Sequence, residues 1–187
     1  MVIFCLVIIL SGCATKSETK ALPTGAALAH NIGDIGPAGG KIFITPATSG
    51  NSTGKYFEAA PADFGTELTW CSNITNLLGA SGTKIGTGAQ NTSNMLITCT
   101  SGAAFSADGY ATTNNSKTYS DWFLPSKAEL DQLYSNKKTI GGFAKSSYWS
   151  SSEDSTSRAW CQYFRLSLQY GDVKDSLNYV RPVRAFS

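Results

Sequence analysis

The sequence predicts one α+β domain that contains two modest helices and several short strands, and three observations support this. First, 187 residues of which 42% are hydrophobic suffice for one full core and are too few for a multidomain protein. Second, only 15% are charged, against roughly 25% in an average globular protein. The 18 glycines and the many Ser, Thr and Asn residues instead favour loops and short strands. Third, a helix-start signature lies among segments of alternating polarity.

The N-terminal segment MVIFCLVIILSGC, residues 1–13, indicates a bacterial export signal. Its apolar run, Val2 to Leu10, is too short to span a bilayer, and Leu10-Ser11-Gly12-Cys13 resembles a lipobox in which Cys13 would receive diacylglycerol. The alternative, a buried strand, has no preceding chain to cover its other face. No Lys or Arg precedes the run, as an export signal requires, so we expect a start codon upstream of Met1.

Residues 14–31 are small and polar and predict a flexible tether, which leaves residues 32–187 as the folded domain. By analogy with lipoprotein sorting, Ala14 after the lipidated cysteine predicts delivery to the outer membrane or cell surface. The expected membrane contact is therefore the N-terminal lipid.

Charge and histidine content exclude several function classes. A formal net charge of +2 is too small for the electrostatic surface of a nucleic-acid-binding protein. His30 is the one histidine and lies in the expected tether, so no Ser-His-acid arrangement is available, and no Cys-x-x-Cys pair supplies a metal site. We expect no catalysis, no cofactor and no bound metal.

Three cysteines remain after export, Cys71, Cys99 and Cys161, in an oxidising compartment where they cannot all pair. Cys71–Cys99 is the preferred bridge, which in the chain-entropy model would stabilise the fold by about 3 kcal/mol. Two buried free thiols are the alternative.

Short strands and a core tryptophan are predicted before the helices. Residues Gly39 to Pro46 predict a turn and then a strand, and Lys55 to Ala60 show apolar–polar alternation. Trp70 is expected in the core, and residues 79–88 form a loop.

Two helical segments follow. The first spans Gln90 to Cys99, with Asn91 or Thr92 as its cap, and residues 103–110 are expected to continue the same layer. The second begins at Ser126, because Glu129 three residues later completes a capping box. Its predicted buried positions are Ala128, Leu130, Leu133 and Tyr134, and Gly141 and Gly142 lie in the loop beyond it.

A strand over Trp160 to Arg165 is predicted by its period of two. Trp160, Gln162 and Phe164 share the face expected to pack on the core. The opposite face carries Cys161, Tyr163 and Arg165, which share no chemistry that a single evolved function would require.

The segments WFLPSKAEL, YWSSSE, AW-x-Q-x-F and YVRPVRAF together resemble a bacterial family found in lipoproteins and at the C-terminus of collagen-like adhesins. The resemblance begins near Gly36 and is most specific from Tyr119 to Phe186. It implies a fold related to C-type lectins and formylglycine-generating enzymes, with short, mainly antiparallel strands. More narrowly, the chain resembles the variable target proteins of diversity-generating retroelements, which rewrite selected Asn codons by adenine-specific errors.

Rewritten Asn codons can encode fifteen amino acids but never Lys, Glu, Gln, Trp or Met. The resemblance implies a variable region over residues 154–178, in which six framework residues are set aside: Ala159, Trp160, Gln162, Phe164, Gln169 and Lys174. None of the other 19 belongs to the five excluded types. These candidate ligand-binding residues are Asp154, Ser155, Thr156, Ser157, Arg158, Cys161, Tyr163, Arg165, Leu166, Ser167, Leu168, Tyr170, Gly171, Asp172, Val173, Asp175, Ser176, Leu177 and Asn178.

Adaptable positions on a rigid scaffold would work as antibody loops do. The expected anchors are Arg158, Tyr163, Arg165 and Tyr170, and the apolar contacts, if exposed, are Leu166, Leu168, Val173 and Leu177. Alternatively, residues 166–177 form a hairpin whose apolar side chains are simply core. Cys161 would then be an accident of recoding.

The resemblance also implies that Arg181 and Arg184 are structural and tie the last strand to the domain. Their expected partners are the rings of Trp122, Trp149 and Trp160 and the carboxylate of Glu153.

Three functions compete. The leading hypothesis is a surface-anchored, non-catalytic protein that binds a protein or glycan through a diversified face. The second is an adhesin of fixed specificity for sulfated glycans, which needs a basic patch, whereas residues 153–178 are near neutral or slightly acidic. The third is a structural envelope lipoprotein without a specific ligand.

Overall fold

The computed structural model of the chain describes residues 29–187 and confirms the α+β class. The export signal, Cys13 and all but the end of the tether lie outside the described residues. Within the described part, no helix has the length and apolarity needed to cross a membrane. The strands and helices are β1 (Lys41–Ile44), β2 (Tyr56–Ala59), α1 (Gly88–Leu96), α2 (Ala103–Asp108), β3 (Thr112–Asn114), β4 (Lys117–Tyr119), α3 (Lys127–Ser135), α4 (Lys137–Ile140), β5 (Ser147–Glu153), β6 (Arg158–Tyr163), β7 (Leu168–Val173) and β8 (Val183–Phe186).

The strands pair antiparallel in three small sheets, with the orders β1-β2-β8, β3-β4 and β5-β6-β7. The described residues contain four helices rather than the two expected, but only α1 and α3 exceed six residues. Of the two additional helices, α2 lies within residues 103–110, the segment expected to continue the first helical layer, whereas α4 is too short to show a helical period in the sequence.

The described core has two main clusters. One includes Trp70, Met95 and Trp149, and the other includes Phe43, Leu133 and Tyr148. Trp70 is fully buried, as expected, and its indole N–H donates to the Ser150 carbonyl at 2.7 Å.

His30 is part of the domain rather than of a free tether. Its ring packs edge-on against Tyr56 and Phe186, at centroid distances of 5.3 and 5.8 Å. The folded part therefore begins slightly before residue 32.

The apolar–polar alternation predicted for Lys55 to Ala60 is wrong at Glu58 on β2, because this polar side chain is fully buried. The carboxylate accepts hydrogen bonds from Arg184 Nη1 at 2.6 Å and from the backbone N–H groups of Ala38 and Gly40. Arg184 also donates to Asp121, which lowers the pKa of that carboxyl. This ion-pair network joins the loop before β1 to the last two strands of its sheet.

The structural role of Arg181 and Arg184 agrees with expectation, but the expected partners are wrong. Arg181 donates to Asp63 and to the carbonyls of Ala60 and Gly142, and its guanidinium lies 4.2 Å from the Phe143 centroid. Arg184 stacks over Tyr119 at 4.8 Å. Trp122 and Trp149 belong to core clusters instead, Trp160 lies against Lys127, and Glu153 pairs with Lys174.

The expected cap of the first helix is also wrong. α1 begins at Gly88, so Asn91 and Thr92 are buried within it. Asn91 bridges the preceding loop by accepting from the Gly82 N–H and donating to the Gly82 carbonyl. The N–H of Gly88 points instead to the Glu129 carboxylate, 3.4 Å away.

The capping box of α3 is confirmed. Ser126 Oγ accepts the Glu129 N–H at 3.3 Å, and Glu129 Oε2 accepts the Ser126 N–H at 2.7 Å. Glu129 Oε1 also accepts the Gly86 N–H at 2.7 Å, so one fully buried carboxylate organises the starts of α1 and α3.

Glu129 predicts an unusual pH dependence of stability. Burial raises its pKa from 4.5 to about 7, although hydrogen bonds from Ser126, Gly86 and Gly88 act in the opposite direction. Between these values the folded chain binds more protons than the unfolded chain, so the free energy of unfolding falls as pH rises. We expect a fall of about 2 to 3 kcal/mol between pH 4.5 and 7, measured by urea denaturation.

The matched variant is Glu129→Gln, which cannot titrate. It should be less stable than the parent at pH 5 and should show a flatter stability profile between pH 4.5 and 7. An equal slope in both proteins would contradict this assignment.

Candidate functional site

The 19 candidate positions lie on β6, on β7 and in the turns beside these strands, and we call this set of positions the hairpin face. Seventeen are exposed or half-buried, whereas all six framework residues are buried or half-buried. The exposed positions are Asp154, Thr156, Ser157, Arg158, Arg165, Leu166, Ser167, Leu168, Val173, Asp175 and Leu177. The half-buried positions are Ser155, Tyr163, Tyr170, Gly171, Asp172 and Ser176.

Four apolar side chains of the hairpin face extend into solvent. Leu166, Leu168, Val173 and Leu177 are 64%, 53%, 39% and 60% exposed. The alternative of a hairpin with its own core is therefore wrong. Leu166 and Leu168 lie at the turn between β6 and β7, whereas Val173 and Leu177 lie at the opposite end of the hairpin, so each end presents an exposed apolar pair. Exposed apolar side chains of this kind are typical of binding surfaces.

The four expected anchor residues differ in how their side chains are held. Arg158 is exposed and its Nη1 donates to the Gly171 carbonyl at 2.7 Å. The half-buried Tyr170 shares a 2.8 Å hydrogen bond with Ser147 through its hydroxyl. Arg165 is exposed and Tyr163 is half-buried. Hydrogen bonds within the domain thus hold the side chains of Tyr170 and Arg158 in place.

Two of the 19 positions are not on the surface: Cys161 and Asn178 are 1% and 5% exposed. Asn178 donates to Asp172 Oδ2 at 3.1 Å and its backbone pairs with Leu68. Cys161 packs in the core cluster of Trp70 and Trp149. Both are internal contacts, so they are not ligand contacts in this structure.

The burial of Cys161 also corrects the expectation that only one face of β6 is core. β6 is the middle strand of its sheet. Cys161 belongs to one core cluster, whereas Phe164 belongs to the other cluster with Leu130 and Leu133 of α3. A strand covered on both faces cannot be recognised from alternation alone.

Cys161 should be chemically inert in the folded protein. Burial raises the pKa of its thiol to about 12, and Sγ donates to the Tyr170 carbonyl at 3.4 Å. We expect no alkylation of the Cys161 peptide by iodoacetamide at pH 8 within an hour, and full alkylation in denaturant, measured by mass spectrometry. Rapid labelling without denaturant would show that this strand opens.

Gln162 is fully buried, and neither its amide oxygen nor its amide nitrogen has a hydrogen-bond partner among the described residues. Because an unpaired buried amide is costly, Gln162→Met should leave the free energy of unfolding unchanged or raise it by about 1 kcal/mol. The measurement is urea denaturation. A loss of stability instead would contradict the assignment of Gln162 as an unpaired amide.

The framework residues attach the hairpin face to the domain. Gln169 donates to the Lys127 carbonyl at 2.9 Å, and Lys127 Nζ lies 3.0 Å from the Trp160 ring centroid. Burial lowers the pKa of Lys127. Lys174 pairs with Glu153 at 2.8 Å, with both side chains buried.

The charge of the hairpin face is slightly acidic. Because Glu153 and Lys174 neutralise each other inside the domain, the partly exposed charges are three acids and two bases: Asp154, Asp172, Asp175, Arg158 and Arg165. Asp172 is committed to the turn after β7, where it accepts from Ser176 and Asn178. This face lacks the basic character that a polyanion needs.

Sequence reasoning missed the residues that hold the site in place. Asp63 binds Arg181 and accepts the Tyr148 hydroxyl at 2.6 Å, and Asp172 organises a turn. No local signal separates these from ordinary surface aspartates. Among residues 29–187, no group of three or more His, Cys, Asp or Glu residues could hold a metal ion.

Comparison with known families identifies a match to the model described as the Lcl C-terminal domain, over residues 60–184. The matched range contains α1 to β7, the first half of β8 and all 19 candidate positions. A comparison with curated proteins found no match.

Proposed function

Because the chain belongs to the Lcl C-terminal domain family, which is associated with surface-exposed adhesins, we propose that it is a cell-surface binding protein whose ligand contacts the hairpin face. The proposal contains no catalytic step and no cofactor. The ligand is a protein or a glycan outside the cell, and Cys13 carries the lipid that anchors the chain to the outer membrane or cell surface.

One observation carries this proposal: the division between exposed variable positions and buried framework positions in residues 154–178. Side chains can change in the turns beside β6 and β7 and at the ends of these strands without disturbing the core, while the framework keeps the backbone in place. Leu166, Leu168 and Leu177 are then exposed because they serve binding rather than folding.

Diversification by a retroelement is the finer part of the proposal. The test is to sequence the DNA that flanks the gene and search for a near-copy of the segment encoding Tyr148 to Phe186, beside a reverse-transcriptase gene. Differences should fall only where the copy has adenine, in codons of the 19 positions and in none of the six framework codons. Without a copy, the protein has fixed specificity.

Binding itself is tested with a matched pair of double variants. Leu166→Ser with Leu168→Ser alters the hairpin face, while Ile97→Ser with Phe105→Ser removes apolar side chains of similar exposure elsewhere. We expect the first pair to lower adhesion of cells displaying the protein by about tenfold and the second to leave it unchanged. Equal adhesion of both variants and the parent would favour a structural envelope role.

Glycan specificity distinguishes the remaining alternative. An array that carries neutral and sulfated glycans should show no general preference for sulfate at the hairpin face, because acids outnumber bases there. Binding to all sulfated glycans, lost in the hairpin-face variant, would favour the adhesin of fixed specificity.

A further inference from the structure

A cavity of about 300 Å³ lies between α4, the loop that follows it and the end of β6. Its lining residues, apart from Phe164 and Arg165, fall outside residues 154–178. This volume is at the lower end of the range for small-molecule sites. The size suits a ligand with one or two rings rather than a macromolecule.

The floor of the cavity is aromatic and well supported. The rings of Phe143 and Phe164 lie with centroids 4.7 Å apart. Phe143 is also held by the Arg181 guanidinium, and Phe164 packs on Tyr148 at 4.3 Å. Because these contacts fix both rings before any ligand arrives, a planar apolar body can stack there at little conformational cost.

The rim of the cavity is basic, and no acidic residue lines it. Lys137 is engaged, since its Nζ donates to the Phe164 carbonyl at 2.6 Å. The side chains of Lys138, Lys145 and Arg165 are exposed and form no salt bridge within residues 29–187. Three uncompensated cations around one opening favour an anionic group at its mouth.

We propose that this cavity binds a small organic anion: a planar apolar body of one or two rings that carries a single carboxylate or sulfonate. The body stacks on Phe143 and Phe164, and the anionic group lies between Lys138, Lys145 and Arg165. A hydrophilic polyanion would use the rim but leave the aromatic floor without a contact. The site shares Arg165 with the hairpin face but does not rest on the proposed function, because it needs no macromolecular ligand.

The test uses the full chain and isothermal titration calorimetry with three probes: naphthalene-2-sulfonate, its neutral sulfonamide and inorganic sulfate. We expect one sulfonate per chain, bound about tenfold or more tighter than the sulfonamide, with no saturable binding of sulfate. Equal affinity for sulfonate and sulfonamide, or binding of sulfate alone, would overturn the proposal.

Variants locate the binding. Lys138→Gln with Lys145→Gln should weaken sulfonate binding by about tenfold, whereas Lys55→Gln with Lys84→Gln, two exposed lysines elsewhere, should change it less than about twofold. Ala144→Leu fills the cavity without changing charge and should abolish binding, while thermal melting verifies that each variant folds. Unchanged binding in Ala144→Leu would place the sulfonate elsewhere and contradict the proposal.

Discussion

Replacing Lys174 by Met should lower the free energy of unfolding by about 3 to 5 kcal/mol, because it leaves Glu153 as an uncompensated buried charge. Lys174 is 1% exposed. Its Nζ donates hydrogen bonds to the Glu153 carboxylate and to the Asn76 carbonyl, each at 2.8 Å. The same Nζ lies 4.7 Å from the centroid of the Trp70 ring. Its backbone N–H donates to Ser157 and its carbonyl accepts from Trp70. One residue thus fastens the end of β7 to the scaffold.

Urea denaturation measures this loss, and Lys55→Met, at an exposed lysine, is the control, with an expected change within about 0.5 kcal/mol. A double-mutant cycle that combines Lys174→Met with Glu153→Gln separates the energy of the ion pair from that of the other contacts of Lys174. A loss below about 1 kcal/mol in Lys174→Met would show that the buried pair does not fasten the hairpin face.

Removing the disulfide between Cys71 and Cys99 should cost about 3 to 4 kcal/mol in the chain-entropy model. The structure contains this bridge, the pairing preferred from the sequence, with Cα atoms 5.3 Å apart and a sequence separation of 28. The closed loop includes α1, whose Met95 is fully buried in the same core cluster as both cysteines. The bridge therefore restrains the unfolded chain around one helix of the domain.

The double variant Cys71→Ala with Cys99→Ala should melt about 10 °C below the parent by circular dichroism. Cys161→Ala is the matched control, because it removes a buried sulfur without opening a bridge. It should lower the melting temperature by only a few degrees. A double variant as stable as the parent would mean that core packing alone holds this loop.

Local sequence signals predicted those helices and strands that depend on interactions between residues close together in the chain. The capping box of α3 depends on two residues three positions apart, Ser126 and Glu129, and β1 and β2 fall within the segments predicted for strands. The family resemblance separated variable from framework positions, and 11 of the 19 variable positions are exposed whereas none of the six framework positions is.

Tertiary structure alone decided which polar residues are buried and what they bind. Glu58 and Arg184 are 126 residues apart, and Asp63 and Arg181 are 118 apart, so neither pair has a local pattern. Cys161 is core because β6 is covered on both faces, which a period of two cannot reveal. Sequence thus determined what short-range hydrogen bonding and alternation control, whereas burial and ion pairing depend on segments that meet only when the chain has folded.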